Sequence, residues 1–212
     1  MTDSIIIIDP GHGGLDFDGR YTTQGKQSEF IIQDEYKYCY EGVLNRAVAH
    51  LLQFRLSHQG IKSCILADHT DVPLRVRSTA ANDIAKGKKA VLISIHHNAF
   101  RDTSVKGFEV FAYSGLAPTS QDIAQDAGDI FLSHFKGIRK QRITGDLHRG
   151  ELATYKKADF HILRETKMPS ILMEFGFMTN REEFGYITSL EGIQDQVRYL
   201  EHVCEIIYQN YL

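Results

Sequence analysis

Two histidines and two glutamates stand at positions where side chains from distant parts of the chain are expected to come together. His12 follows the first apolar run of the sequence, His96 follows a later one, and Glu174 ends the last. Each run is typical of a buried strand, and the carboxyl ends of parallel strands lie at one edge of a sheet. Glu41 opens the first long helical pattern, where it can add a second carboxylate. The spacing therefore predicts a cluster of two imidazoles and two carboxylates.

Such a cluster matches the needs of a catalytic zinc site, which takes three protein ligands and leaves one position for water. His12, Glu41 and His96 would make the ligand set. Glu174 would then be the carboxylate outside it that serves as base. Each residue also has a structural interpretation: a loop histidine, a carboxylate at a helix N-terminus, a core histidine, or an edge carboxylate paired with arginine. No HExxH or paired CxxC motif is present, so spacing alone leaves both interpretations open.

Strand and helix patterns alternate along the chain. This alternation predicts a single α/β domain over residues 1–212, with a twisted, mostly parallel sheet and helices on both faces. The predicted strands are Ser4–Ile8, Ile61–Ala67, Ala90–Ile95, Gly107–Tyr113, Phe160–Leu163 and Ser170–Glu174. The predicted helices are Glu41–Ser57, Asp71–Lys86, Ser120–Phe135 and Ser189–Tyr208.

Composition narrows the class of protein. The 212 residues are 42% hydrophobic and 24% charged, which suits one globular core and excludes a disordered, collagen-like or coiled-coil architecture. The net charge of −3 gives no electrostatic reason to coat nucleic acid or an anionic membrane, so a polyanionic substrate needs a local site. Three scattered cysteines, Cys39, Cys64 and Cys204, predict free thiols. The start of the chain has no signal-peptide pattern and no run approaches the roughly 20 apolar residues of a membrane span, which predicts cytoplasmic synthesis without membrane insertion.

Several short motifs occur in order between about residues 5 and 208. They are Ile7-Ile8-Asp9-Pro10-Gly11-His12-Gly13-Gly14; Glu41 with Asn45; Leu74, Arg77, Ala81 and Asn82; Ser94-Ile95-His96-His97-Asn98-Ala99; Arg149-Gly150 with Ile162-Leu163-Arg164; and Met168 to Asn180. In this order they resemble the zinc-dependent N-acetylmuramoyl-L-alanine amidases called amidase type 3, a family of cell-wall autolysins and phage endolysins.

The resemblance implies one Zn²⁺ held by His12, Glu41 and His96, with Glu174 as catalytic acid and base. The implied reaction is hydrolysis of the amide between the lactyl group of N-acetylmuramic acid and L-alanine in peptidoglycan. Two alternatives stay open: a catalytically inactive peptidoglycan-binding regulator, and a zinc carboxypeptidase. Identification of the reaction product would separate the three.

The resemblance also suggests roles for neighbouring residues. Asp9 is a candidate partner for the second nitrogen of a ligand imidazole. His97 is expected to be structural or to support a ligand rather than to contact substrate, because neighbours in a strand point to opposite faces. Arg149 and Arg164 could bind a substrate carboxylate or be structural. The loop over residues 14–40 is longer than in a minimal family member and carries no motif that can be assigned.

The stretch 137–157 is basic and polar, and it lacks the apolar face of a helix that could plug the site. Glu151 is the one glutamate there that could cap the zinc. We therefore expect a monomer that is active as made, with no obligate protein activator. In this view restraint comes from the compartment, and the enzyme reaches the cell wall after release, in phage or prophage lysis. The alternative is a chain trimmed of a signal segment and a wall-binding module.

Overall fold

The computed structural model describes residues 3–28, 38–67, 69–113, 115, 118–134, 147–148, 151–152 and 154–212. The strands are β1 Ser4–Pro10, β2 Ser63–Ile65, β3 Lys89–Asn98, β4 Glu109–Ala112, β5 Leu147–His148, β6 Glu151–Leu152, β7 Lys156–Lys157 and β8 Ser170–Phe177. The helices are α1 Glu41–His58, α2 Leu74–Ile84, α3 Pro118–His134, α4 His161–Arg164, α5 Arg181–Ile187 and α6 Leu190–Asn210.

Six strands form the central sheet in the order β2-β1-β3-β8-β4-β7, and β5 pairs separately with β6. All neighbours in the central sheet are parallel except β4 and β8, which run antiparallel. Because β1, β3 and β8 run the same way, their carboxyl ends share one edge. The predicted mostly parallel sheet is confirmed.

Helices cover both faces of this sheet, as predicted. On one face, α1, α3 and α6 pack against alternate strand residues, including Ile6, Ile8 and Ile93. On the other face, α2 and α4 pack against the residues between them, including Ile7 and Leu92. Strands buried on both faces read as continuous β-branched runs rather than as an alternating pattern, which explains the sequence signal.

The predicted strand Phe160–Leu163 is wrong, because these residues begin helix α4. The backbone N–H groups of Leu163 and Arg164 both donate to the carbonyl of Phe160, which closes a helical turn. A stretch of four residues, three of them apolar, is too short for periodicity to separate a strand from a turn of helix.

Strand β8 also continues beyond its predicted end, since Phe177 still pairs with Asn98 of β3. Glu174 and His96 are therefore register partners inside neighbouring strands rather than residues just beyond them.

Cys39, Cys64 and Cys204 are free thiols, as expected from their spacing. Among the helices of the described ranges, none is long and apolar enough to cross a membrane.

Candidate metal centre

Three of the predicted site residues meet around the carboxylate of Glu41. The Nε2 atom of His12 lies 3.1 Å from one oxygen of Glu41, and the Nδ1 atom of His96 lies 3.1 Å from the other. One ligand atom from each residue lies within 4.8 Å of those of the other two. Zinc bonds to nitrogen and oxygen of about 2.0–2.2 Å place tetrahedral ligand atoms about 3.3 Å apart. The donor set and its spacing therefore fit a zinc ion.

Backbone contacts place these side chains at the sheet edge. Glu41 is the first residue of α1, and its N–H donates to the carbonyl of Lys26 at 2.9 Å. Its carboxylate also accepts the backbone N–H of His97 at 3.2 Å, which ties the start of the helix to β3. Although burial alone would raise the pKa of Glu41, hydrogen bonds from His12 and His96 hold it well below its ordinary value. Glu41 is therefore an ionised carboxylate, the form that binds metal.

His12 reaches the cluster through a loop that passes very close to His96. Gly11 donates its N–H to the carbonyl of Ile95 at 2.9 Å, which holds this loop against β3. A Cβ at Gly11 would lie 2.1 Å from a ring carbon of His96. Glycine is thus required at position 11 by the close approach of an imidazole.

Replacing Gly11 with alanine should displace the His96 ring and weaken zinc binding by more than 10-fold, the lower end of what loss of a supporting residue costs. A chelator competition titration measures this. Gly185→Ala is the matched control, because a Cβ there meets nothing within 4 Å and alanine favours its helix. Wild-type zinc affinity in Gly11→Ala would show that the two groups do not crowd each other in solution.

Glu174 lies beside the cluster, as the register partner of His96 in the neighbouring strand. Its Oε2 atom is buried and has no hydrogen-bond partner among the residues that the structure describes. Burial raises its pKa to about 8; His96 opposes this shift, and the charges of Glu41 and Glu109 add to it. A group that exchanges its proton near neutral pH is suited to act as both base and acid.

The cross-strand neighbour of Glu174 was not predicted from the sequence. Glu109 of β4 pairs in register with Glu174, so two carboxylates lie side by side. Glu109 is balanced by Lys156 at 2.5 Å and by the side-chain amide of Asn98 at 2.8 Å. Repulsion between the two carboxylates therefore acts mainly on Glu174, where the charge of Glu109 helps to raise the pKa. Alternation marked β4 as a strand, but only the sheet register shows which carboxylate faces Glu174.

A cavity of about 170 Å³ connects these groups. This volume is below the roughly 300–1,000 Å³ of pockets that enclose a whole small molecule. The cavity therefore has room for the reacting bond of a larger substrate but not for the whole of it. Lys26 is the single lysine or arginine among the described residues that line the cavity. The lining residues are His12, Gly25, Lys26, Gln27, Glu41, His96, His97, Asn98, Ala99, Glu174 and Met178.

The described part of the long loop packs on the start of α1. The ring of Tyr21 stacks on Tyr40 at 4.3 Å, and its hydroxyl accepts the N–H of Gly42 at 3.1 Å. These contacts bring Lys26 and its neighbours to the cavity. No local motif signals this placement, because it depends on contacts between residues far apart in the sequence.

His97 is buried, and both of its ring nitrogens are engaged on the helix side of the sheet. Nδ1 lies 2.7 Å from the side-chain oxygen of Asn45 on α1, and Nε2 lies 2.9 Å from that of Gln196 on α6. These contacts agree with the expected structural role of His97, although His97 is also among the residues that line the cavity.

Asp9 and Arg164 pair with residues outside the metal-ligand cluster. The carboxylate of Asp9 accepts from Arg77 at 2.9 Å and from the Ser94 hydroxyl at 2.8 Å. Asp9 therefore does not bond to a ligand imidazole, as the sequence had suggested, but forms a buried ion pair with Arg77. Arg164 pairs with Asp159 and Glu165, which favours its structural interpretation. Arg149, residues 29–37 of the loop and the Glu151 side chain lie outside the described residues.

Residues 6–201 match the sequence model of a family described as N-acetylmuramoyl-L-alanine amidase. The chain is 30% identical over 196 residues to the N-acetylmuramoyl-L-alanine amidase CwlM of Bacillus licheniformis, covering 91% of this chain and 64% of that protein. It is 27% identical over 213 residues to AmiC of Escherichia coli, covering 84% of this chain and 46% of that one. The chain thus spans about half to two thirds of the length of these relatives.

Solved structures show the same fold. An N-acetylmuramoyl-L-alanine amidase from Clostridium difficile 630 superposes with a TM-score of 0.74 at 26% identity, covering 99% of both chains. AmiC2 of Nostoc punctiforme superposes with a TM-score of 0.71 at 24% identity, covering 97% of both chains, and is similar in fold.

Proposed function

Because this chain belongs to the N-acetylmuramoyl-L-alanine amidase family, we propose that it hydrolyses the amide between N-acetylmuramic acid and L-alanine in peptidoglycan. The observation that carries this proposal is the convergence of His12, Glu41 and His96 beside Glu174, whose buried Oε2 atom has no hydrogen-bond partner among the described residues. The cut would separate the stem peptide from the glycan. The domain that does this is proposed to extend over residues 1–212.

His12, Glu41 and His96 are proposed to hold one zinc ion. Two imidazoles and an ionised carboxylate are ligands that catalytic zinc takes, and their 3.1 Å contacts require little rearrangement. When bound, zinc would polarise the amide carbonyl and lower the pKa of a water molecule. The backbone of Glu41 bonds to the Lys26 carbonyl and its carboxylate accepts the N–H of His97. These two bonds fix the direction in which the carboxylate ligand points.

Glu174 is proposed to move the proton. It would accept a proton from the attacking water as the water oxygen bonds to the carbonyl carbon. It would then return that proton to the alanine nitrogen as the carbon–nitrogen bond breaks, because an amine leaves only when protonated. The products are a lactyl carboxylic acid and a free L-alanine amine. Burial beside His96 keeps this carboxyl in the range where both transfers are feasible.

The same carboxyl argues against an inactive regulator. Burying a carboxylate without a hydrogen-bond partner costs stability, and a binding module gains nothing from it.

A carboxypeptidase would need a cationic pocket for a terminal carboxylate. Lys26 is the one cation among the described cavity-lining residues, and it stands on an exposed loop.

Digestion of purified peptidoglycan with the zinc-loaded and the metal-free protein tests the proposed reaction. Mass spectrometry of the products should show new L-alanine amines and free lactyl carboxylates, in the zinc sample only. A released terminal amino acid would indicate a carboxypeptidase, and no product would indicate a binding protein.

The same assay tests the expectation that no activator is needed. The purified protein should clear peptidoglycan with no other protein present, and addition of cell extract should not raise its rate several-fold. Inertness until a partner is added would overturn this expectation.

The proposed setting is release onto the wall during phage or prophage lysis. Expression inside bacteria whose wall the purified protein digests should leave the cells intact until their membrane is permeabilised. Lysis without permeabilisation would contradict restraint by compartment.

A further inference from the structure

His12 has a backbone conformation that is unfavourable for its residue type. Its φ angle is +63°, and Ala67 at +50° is the one other non-glycine residue with positive φ in the described ranges. The Cβ of an L-residue is crowded in this left-handed region, so such a conformation persists only where its surroundings hold it. His12 cannot become glycine to relieve the strain without losing its imidazole.

One guanidinium contacts the carbonyls of both left-handed residues. The Nη2 atom of Arg46 donates to the carbonyl of His12 at 2.9 Å and to that of Ala67 at 2.5 Å. Its Nη1 atom donates to the carbonyl of Gly42 at 2.9 Å, within the first turn of α1. Arg46 is 7% exposed, so water does not compete for these bonds. The helix that begins with Glu41 therefore also fixes the backbone of His12.

A second buried guanidinium donates to the same carbonyl. Arg77 of α2 donates from Nη2 to the His12 carbonyl and from Nη1 to that of Pro10 at 2.9 Å. Its own charge is balanced by Asp9 at 2.9 Å. A carbonyl oxygen has two lone pairs, so both are used. Hydrogen bonds from a charged donor are roughly twice as strong as neutral ones, which suits them to hold a strained backbone.

We propose that Arg46 is a positioning residue for the metal centre, assisted by Arg77. By holding the His12 carbonyl, Arg46 maintains the left-handed conformation from which the imidazole reaches Glu41. This inference rests on the proposed metal-binding role of His12. It assigns Arg46 no contact with substrate or metal.

The test compares zinc binding by the wild-type protein, Arg46→Gln, Arg46→Lys and Arg55→Gln. Arg55 is the matched control, because it lies on the same helix in an exposed ion pair with Glu201. Chelator competition should give about 10–100-fold weaker zinc binding for Arg46→Gln, the usual cost of losing a residue that orients a ligand. Arg46→Lys keeps the charge and should recover part of the affinity, whereas Arg55→Gln should match the wild type.

Two further measurements separate positioning from a general packing role. The visible spectrum of the Co²⁺-loaded protein reports ligand geometry and should change in Arg46→Gln but not in Arg55→Gln. Thermal unfolding of the metal-free proteins shows whether Arg46→Gln is folded at the temperature of the titration. If it is not folded, Arg46→Lys decides by the same zinc and cobalt criteria.

Zinc affinities of Arg46→Gln and Arg46→Lys within twofold of the wild type, with an unchanged cobalt spectrum, would overturn the inference. A wild-type protein that binds no zinc would overturn the proposed metal centre, and this inference with it. The two failures are therefore distinguishable.

Discussion

Replacing His96 with alanine should abolish zinc binding and amidase activity together. A site with one imidazole and one carboxylate is too weak and too open to retain a catalytic zinc ion. The loss of affinity should exceed the roughly 10–100-fold that removal of a supporting residue costs. Metal content after dialysis and turnover of peptidoglycan measure the two effects. His12→Ala should behave in the same way, because it removes the other imidazole.

His58→Ala is the matched control for this prediction. His58 is an exposed residue at the end of α1, and its ring contacts the carbonyl of Phe54. It should retain one zinc per chain and wild-type turnover. A His96→Ala variant with stoichiometric zinc and full activity would show that the ligand assignment is wrong.

Replacing Glu174 with glutamine should leave zinc and fold in place while lowering the rate by about 10²–10⁴-fold, the usual contribution of general acid–base catalysis. Glutamine has nearly the same shape and lies outside the proposed ligand set. The substitution removes a buried carboxyl whose Oε2 atom has no partner in the described structure, so the unfolding temperature should be unchanged or higher. Steady-state turnover, zinc analysis and thermal unfolding check the three parts of the prediction.

Glu182→Gln is the control here, since Glu182 is exposed and pairs with Lys106 at the surface. It should change neither rate nor metal content. If Glu174→Gln loses its zinc, Glu174 is a ligand and the assignment of Glu41 must be revised.

The sequence predicts well which side chains lie at the carboxyl ends of the parallel strands, because apolar runs and the residues that follow them are local features. For this reason the sequence predicts that His12, His96 and Glu174 lie together, and the parallel order of β1, β3 and β8 brings them to one edge. Their catalytic roles remain predictions. The α4 segment is wrongly predicted as a strand because a stretch of four residues, three of them apolar, carries no decisive period.

Residues that act through long-range contacts could not be found in this way. Glu109 faces Glu174 only because β4 is antiparallel to β8, and strand direction leaves no mark in a run of four residues. Lys26 reaches the cavity through a loop that packs on α1. Arg46 is one arginine among many on helices, and its proposed role comes from its bonds to the carbonyls of the two left-handed residues, His12 and Ala67.

The three proposed ligands come from the loop after β1, the start of α1 and the interior of β3. A metal ion bound to them would act as a cross-link between segments that are far apart in the chain, so binding and folding are coupled. At a free zinc concentration 1,000 times the Kd, this coupling adds about 4.1 kcal/mol to the free energy of unfolding. The resistance of the protein to heat and to proteases would then rise with the free zinc concentration around it. The lifetime of the folded protein would be set by its surroundings as much as by its own packing.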